Sequence, residues 1–137
     1  MNDANSGIVR AAVVGVGAIG GLLAMALSKA GMTVSAYARG ATLDALNAHG
    51  VRVIDETGVV SSVPMRASDD AAVLGVQDYV VIALKAQALP ALAARIAPLV
   101  GPDTVIVAAM NGLPWWFTHG LAGPVDGVPL DAIDPAG

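Results

Sequence analysis

The sequence has little or nothing of several residue types that mark particular classes of protein. It has 137 residues and no cysteine, which excludes disulfide scaffolds and cysteine-ligated metal sites. Only 13% of its residues are charged and 4% are aromatic, whereas 55% are hydrophobic. A chain this apolar and this short of charge is not typical of disorder, and its length suffices for one domain with its own core.

Basic residues are too few to form a general surface for polyanions. Seven Lys and Arg against eleven Asp and Glu give a formal net charge of −4, so we predict no nucleic-acid partner and no anionic membrane partner. Any anion must be bound locally. The two histidines, His49 and His119, have no partners at metal-ligand spacing, and we predict no metal site.

An uncharged stretch, residues 11–28, comes nearest to a membrane or secretion segment. Four glycines interrupt it, and Asp3 makes the residues before it a poor positively charged leader. A buried strand that leads into a buried helix has the same profile, because strands of a parallel sheet are covered on both faces. We therefore predict no membrane span and a cytoplasmic location.

Apolar runs and helical periodicities alternate along the chain, which predicts an α/β fold. The runs predict strands at residues 8–14, 33–38, 79–84 and 105–109. Helical spacing predicts one helix with a single apolar face, a second at residues 41–49, and a third marked by Leu89, Leu92, Ile96 and Leu99. The apolar face of the first helix consists of Ile19, Leu22, Leu23, Ala26 and Leu27. Residues 51–54 and 59–63 predict a hairpin, which residues 64–68 extend.

These elements predict a Rossmann-like, doubly wound and mostly parallel sheet with helices on both faces. We expect the dinucleotide-binding domain to span residues 1–113. Residues 114–137 are rich in proline and glycine and hold the aromatic run Trp115, Trp116 and Phe117. We expect this segment to be a truncated remainder of the same domain. The open sheet edge and an uncovered Trp115–Trp116 surface would favour self-association or a homo-oligomer.

A glycine motif stands between the first predicted strand and the first predicted helix. Residues 15–20 fit G-x-G-x-x-G in the context that gives this pattern meaning. The candidate cofactor-binding residues are Gly15, Val16, Gly17, Ala18, Ile19 and Gly20. Gly15 permits the tight turn, Gly17 lets a pyrophosphate approach the backbone, and Gly20 lets the helix pack close to the strand.

The end of the second predicted strand has an arginine and no acid. An acid at this position holds the ribose hydroxyls of NAD, whereas an arginine accommodates the 2′-phosphate of NADP. Arg39 therefore predicts NADP(H) as the cofactor. Two further polar residues follow predicted strands, Lys85 after residues 79–84 and Asn111 after residues 105–110. Ligands of open α/β sheets bind at that edge.

Together these residues resemble the amino-terminal domain of the ketopantoate reductase (2-dehydropantoate 2-reductase) family. The resemblance rests on the glycine motif, Arg39, Leu84-Lys85-Ala86, and the run from Met110 to Trp116. It implies reduction of a 2-keto acid, ketopantoate, by NADPH in pantothenate biosynthesis. Arg39 would hold the 2′-phosphate, Lys85 the cofactor side of the crevice, and Asn111 both cofactor and substrate, as the catalytic residue of this chain.

The resemblance also implies a proton donor that this sequence does not offer. In the family this role resembles that of a lysine in a second, helical domain, and we expect that carboxyl-terminal helical domain to be absent here. Two alternatives to this function stay open. One is a stand-alone or truncated NADP-binding module without catalysis, and the other is an enzyme resembling the 3-hydroxyacid dehydrogenases.

Overall fold

The structure is a computed structural model that describes residues 7–112 and 116–130. Seven strands and four α-helices follow one another in these ranges. The elements are β1 (Arg10–Val14), α1 (Ala18–Lys29), β2 (Thr33–Tyr37), α2 (Gly40–His49), β3 (Val51–Ile54), β4 (Val60–Val63), β5 (Arg66–Ser68), α3 (Ala71–Leu74), β6 (Tyr79–Ile82), α4 (Leu89–Ile96) and β7 (Val105–Ala108). Short 3₁₀ turns at Ala86–Ala88 and Ala97–Leu99 flank α4.

Five strands form one parallel sheet in the order β5-β2-β1-β6-β7. The chain leaves β1 toward β2 on one side and resumes at β6 on the other, so strand order reverses at β1. The carboxyl ends of β1, β2 and β6 meet at this reversal, where open α/β sheets form their ligand crevice. The predicted fold class is confirmed. The predicted hairpin is confirmed too, since β3 and β4 form a separate antiparallel pair.

The core has two layers, one on each face of the sheet. Ala11 and Val13 of β1 belong to a cluster with Ala24 and Met25 of α1. Their neighbours Ala12 and Val14 face the other way, into a cluster that includes Leu92 and Ile96 of α4. All four of these β1 residues are fully buried, which is why this strand is apolar without alternation.

The face that α1 buries matches the predicted apolar face only in part, because Leu23 and Leu27 pack against the core but Ala26 is exposed. Ile19 and Leu22 are 59% and 54% exposed, whereas Gly20, Gly21, Ala24 and Met25 are buried. The helix is turned so that its smallest residues meet the sheet, because the turn before it leaves room for no side chain at Gly20. Close approach of the backbones outweighs the burial of two large apolar side chains here.

Residues 64–68 do not extend the hairpin, and that prediction was wrong. Arg66–Ser68 instead forms β5, which pairs in parallel with the outer side of β2. The short helix α3 after it was not predicted. It begins at Asp70, whose carboxylate accepts a hydrogen bond of 2.9 Å from the amide of Ala72 and so caps the helix.

The β7 side of the sheet is less covered than the β1 side. Val105, Ile106 and Val107 are 50%, 52% and 40% exposed, although their strand is uncharged and β-branched. Within the described ranges no strand pairs with the outer edge of β7. The self-association expected from an open edge stays a prediction. Trp115 lies outside the described residues, while Trp116 is half-buried and Phe117 is 50% exposed.

Within residues 7–112 and 116–130, no helix is both long enough and apolar enough to cross a bilayer.

Candidate functional site

The turn between β1 and α1 is built from glycines that no other residue could replace without movement. Gly15 has a φ of +91°, and a Cβ there would lie 2.8 Å from the carbonyl oxygen of Ala83 at the end of β6. A Cβ on Gly20 would lie 1.9 Å from the carbonyl oxygen of Gly15. The absence of a Cβ at these two positions therefore lets the first turn of α1 lie close to the ends of β1 and β6.

Gly17, in contrast, is not required by the fold. Its φ of −90° is open to any residue, and a Cβ built there meets no protein atom within 4 Å. It is exposed and stands at the N-cap of α1, where no side chain caps the helix. The first amides of α1 are therefore available to a ligand, and the absence of a side chain at Gly17 keeps the approach to them open.

A cleft of about 370 Å³ opens beside this turn. Its walls come from the ends of β1, β2 and β6, the first turn of α2, and one side of α4. The residues that line it are Val14, Gly15, Val16, Gly17, Tyr37, Ala38, Arg39, Thr42, Leu84 and Leu92. Most of this surface is apolar, as is usual in sites for organic cofactors, and its polar side chains are gathered at the β2–α2 end.

Arg39 supplies a positive charge to that end of the cleft. It is exposed at the N-cap of α2. Among the described residues its guanidinium group has neither a hydrogen-bond partner nor a carboxylate partner, and the first turn of α2 carries no acidic residue. An unpaired guanidinium at the end of an apolar cleft suits a phosphate group.

A second cleft, of about 450 Å³, lies between the carboxyl end of α2 and the strands β4 and β5. His49 and Arg66 are among its lining residues. The carbonyl groups at the carboxyl end of a helix disfavour anions. The Arg66 guanidinium already donates a hydrogen bond of 2.8 Å to the carbonyl of Val73. The first cleft is therefore the better site for a phosphorylated ligand.

Lys85 and Asn111 lie on the same edge of the sheet but do not line the cleft. Lys85 follows β6 and precedes the 3₁₀ turn, and Asn111 follows β7. Both are exposed, and neither side chain has a hydrogen-bond partner within the described ranges. They extend a row of free polar groups from the cleft toward β7.

Of the predicted cofactor-binding residues, four line the cleft: Gly15, Val16, Gly17 and Arg39. Ala18, Ile19 and Gly20 begin α1 behind the turn, with Ile19 exposed and Gly20 buried. Sequence reasoning missed two polar lining residues, Tyr37 and Thr42. The spacing of Arg39 and Thr42, three residues apart at a helix start, is the signal that could have pointed to Thr42.

Comparison with known proteins decides the family. A family profile described as "Ketopantoate reductase PanE/ApbA" matches residues 11–114. The chain belongs to the ketopantoate reductase family. It is 50% identical to a 2-dehydropantoate 2-reductase of Mesorhizobium japonicum over 126 residues, which are 91% of this chain and 38% of that protein.

Solved structures of the ketopantoate reductase family share its fold. A crystal structure of a protein assigned to the ketopantoate reductases, from Ralstonia solanacearum, superposes with a TM-score of 0.87 at 49% identity. That match covers 96% of this chain and 40% of the other. The chain therefore spans about two fifths of the length of these relatives.

A second group of enzymes is similar over the same region. A glycerol-3-phosphate dehydrogenase [NAD(P)+] of Streptomyces avermitilis is 37% identical over 107 residues, which are 77% of this chain and 32% of that enzyme. Both groups of relatives are dehydrogenases or reductases, which makes the shared region the part that is common to nicotinamide-dependent enzymes.

Proposed function

We propose that this chain binds NADP(H) and is the cofactor-binding portion of a cytoplasmic enzyme that reduces a 2-keto acid, ketopantoate to pantoate, in pantothenate biosynthesis. The observation that carries the proposal is the cleft itself. Gly17, which the fold does not need as a glycine, opens one end of it, and the unpaired Arg39 stands at the other. Family membership supports the choice of substrate.

The residues of the cleft fit a dinucleotide phosphate with a further phosphate on its ribose. The exposed amides at the start of α1 would bind the pyrophosphate, because Gly17 leaves the backbone uncovered. Apolar lining from Val14, Leu84 and Leu92 would contact the adenosine portion. Arg39 would bind the 2′-phosphate. When bound, the nicotinamide supplies a hydride for reduction of a ketone.

Beyond the cleft, Lys85 would hold the cofactor side of the crevice and Asn111 would contact both cofactor and substrate. Both are exposed on the edge where the strands end. An amide such as that of Asn111 can donate a hydrogen bond to the oxygen on which charge develops during reduction. A proton must also reach that oxygen, and neither Lys85 nor Asn111 is assigned that role.

The proposal is tested by titrating the chain with NADPH and with NADH while following nucleotide fluorescence. We expect NADPH to bind more tightly. Replacing Arg39 with Ala should weaken NADPH binding by about ten- to a hundredfold, the range for a lost charge-assisted contact, and change NADH binding little. Arg52→Ala removes an exposed arginine of β3 that does not line the cleft, and it should change neither affinity. Equal losses for both nucleotides in Arg39→Ala would contradict the assignment.

A binding module without catalysis is a second candidate, favoured because Lys85 and Asn111 do not line the cleft. The two readings separate in one assay. NADPH consumption with ketopantoate supports the enzyme, whereas saturable NADPH binding without consumption supports the module. Oxidation of glycerol 3-phosphate would instead favour the second group of relatives, and oxidation of a 3-hydroxyacid would favour an enzyme resembling the 3-hydroxyacid dehydrogenases.

A further inference from the structure

One end of the cleft gathers three polar side chains that the protein itself does not use. Tyr37, Arg39 and Thr42 line it, and the other seven lining residues are glycines or apolar. Within residues 7–112 and 116–130, none of the three side chains has a hydrogen-bond partner. We call this group the polar end of the cleft. Polar groups clustered without partners in an apolar cleft indicate where a ligand's own polar groups lie.

Tyr37 combines a buried ring with a hydroxyl that has no hydrogen-bond partner among the described residues. Only 3% of it is exposed, because its ring packs in the core cluster that contains Leu74 and Leu92. No buried side-chain oxygen in the described residues lacks a partner, so the unpaired Tyr37 hydroxyl must belong to the small exposed part. Tyrosine hydroxyls at buried positions are normally hydrogen-bonded. This one is left for a group that enters the cleft.

Thr42 stands on the same side of α2 as Arg39. Arg39 is the N-cap and Thr42 the third helical residue, and residues three apart on a helix are neighbours on its surface. Thr42 is exposed, and its hydroxyl does not bond back to a carbonyl of the preceding turn. Threonine is a weak helix former, so neither helix propensity nor packing accounts for it at this position.

Building on the proposed function, we propose that Thr42 is a second residue that selects NADP over NAD, by donating its hydroxyl to the 2′-phosphate that Arg39 binds. A phosphate monoester presents three terminal oxygens. The guanidinium fork of Arg39 can take two of them, which leaves the third for a hydroxyl donor. The Tyr37 hydroxyl borders the same space as a third donor. NAD, with a ribose hydroxyl in place of the phosphate, gains much less from these groups.

The test compares Thr42→Val with Thr42→Ser in the 137-residue chain. Valine keeps the branched shape and removes the hydroxyl, whereas serine keeps the hydroxyl. We expect Thr42→Val to weaken NADPH binding roughly tenfold, the effect of one hydrogen bond to a charged group, with NADH binding nearly unchanged. Thr42→Ser should keep most of the preference for NADPH. Thr33→Val, at an exposed threonine outside the cleft, is the matched control and should leave both affinities unchanged. Thermal unfolding of each variant checks that the fold is intact.

Each outcome has a distinct meaning. A drop in the NADPH to NADH preference in Thr42→Val, restored by serine, supports the role of Thr42. Equal changes for both nucleotides, or no change, overturn that role while leaving the proposed function standing. Equal binding of NADPH and NADH by the wild-type chain overturns both the role of Thr42 and the assignment of NADP(H) as the cofactor. Wild-type chain that binds neither overturns the proposed function itself.

Discussion

Replacing Gly20 with alanine tests the geometry on which the cleft depends. The added Cβ would lie 1.9 Å from the carbonyl oxygen of Gly15, whereas real Cβ atoms essentially never come within 3.0 Å of such an atom. The obstacle is backbone rather than a flexible side chain, so α1 must move by about an ångström or more. Overpacking of this kind costs about 1 to 3 kcal/mol or more. The higher helix propensity of alanine offsets up to about 1 kcal/mol of this loss in stability.

We therefore expect Gly20→Ala to lower the free energy of unfolding by about 2 kcal/mol, or roughly 6 to 12 °C in Tm for a domain of this size. Gly21→Ala is the matched control. A Cβ there meets its nearest atoms at an ordinary 3.9 Å, from Val16, so the same mutation one residue later should stabilise the chain by about 0.5 to 1 kcal/mol. Urea unfolding followed by circular dichroism measures both. Equal stabilities for the two variants would refute the close packing of α1 on the β1 turn.

Three further predictions concern other parts of the molecule. Gly17→Ala should change the free energy of unfolding by less than about 1 kcal/mol, as an N-cap change does. It should nevertheless weaken NADPH binding at least about tenfold, because a methyl group blocks the pyrophosphate. An NADPH titration and a thermal melt of the same variant separate the two effects. Hydrogen bonds from the Thr57 hydroxyl and from backbone amides lower the pKa of Asp55 from its ordinary 3.8. Wild type should therefore be more stable than Asp55→Asn at neutral pH, and this difference in stability should fade as the pH drops below 3.8 through the lowered folded-state pKa. A difference in stability that persists in acid would contradict this prediction. The Thr104 hydroxyl donates a hydrogen bond of 2.6 Å to the carbonyl of Gln77 and accepts one of 2.8 Å from the amide of Gly101. Thr104→Val removes both and should cost about 1 to 3 kcal/mol in urea unfolding, whereas the exposed Thr33→Val should cost little.

The parts of the fold that could be predicted from the sequence are those fixed by short-range rules. Strands buried on both faces are mostly apolar, so β1 and β6 stand out as apolar runs, and β2 does so despite Ser35. The glycine motif was readable because backbone sterics leave no alternative at Gly15 and Gly20. The hairpin was readable because its turn carries Asp55 and Gly58, which suit a tight turn.

The parts that could not be predicted depend on tertiary contacts. The rotation of α1 is set by how closely Gly20 approaches Gly15, so Ile19 and Leu22 face outward against their hydrophobicity. Strand β5 is only three residues long and pairs with β2 through its main chain, which leaves no periodic pattern. Thr42 joins the cleft through the path of α2 relative to β2, which its spacing from Arg39 in the sequence does not establish by itself.

The most direct test of the central claim, that the β1–α1 turn and the β2–α2 end together hold NADP(H), is an NMR titration of the ¹⁵N-labelled chain with NADPH. We predict that amide resonances of residues 15–20 and 39–42 shift together and saturate at one equivalent, while those of the hairpin, residues 51–63, stay in place. Shifts confined to the second cleft around His49 and Arg66, or no saturable shifts at all, would contradict the account.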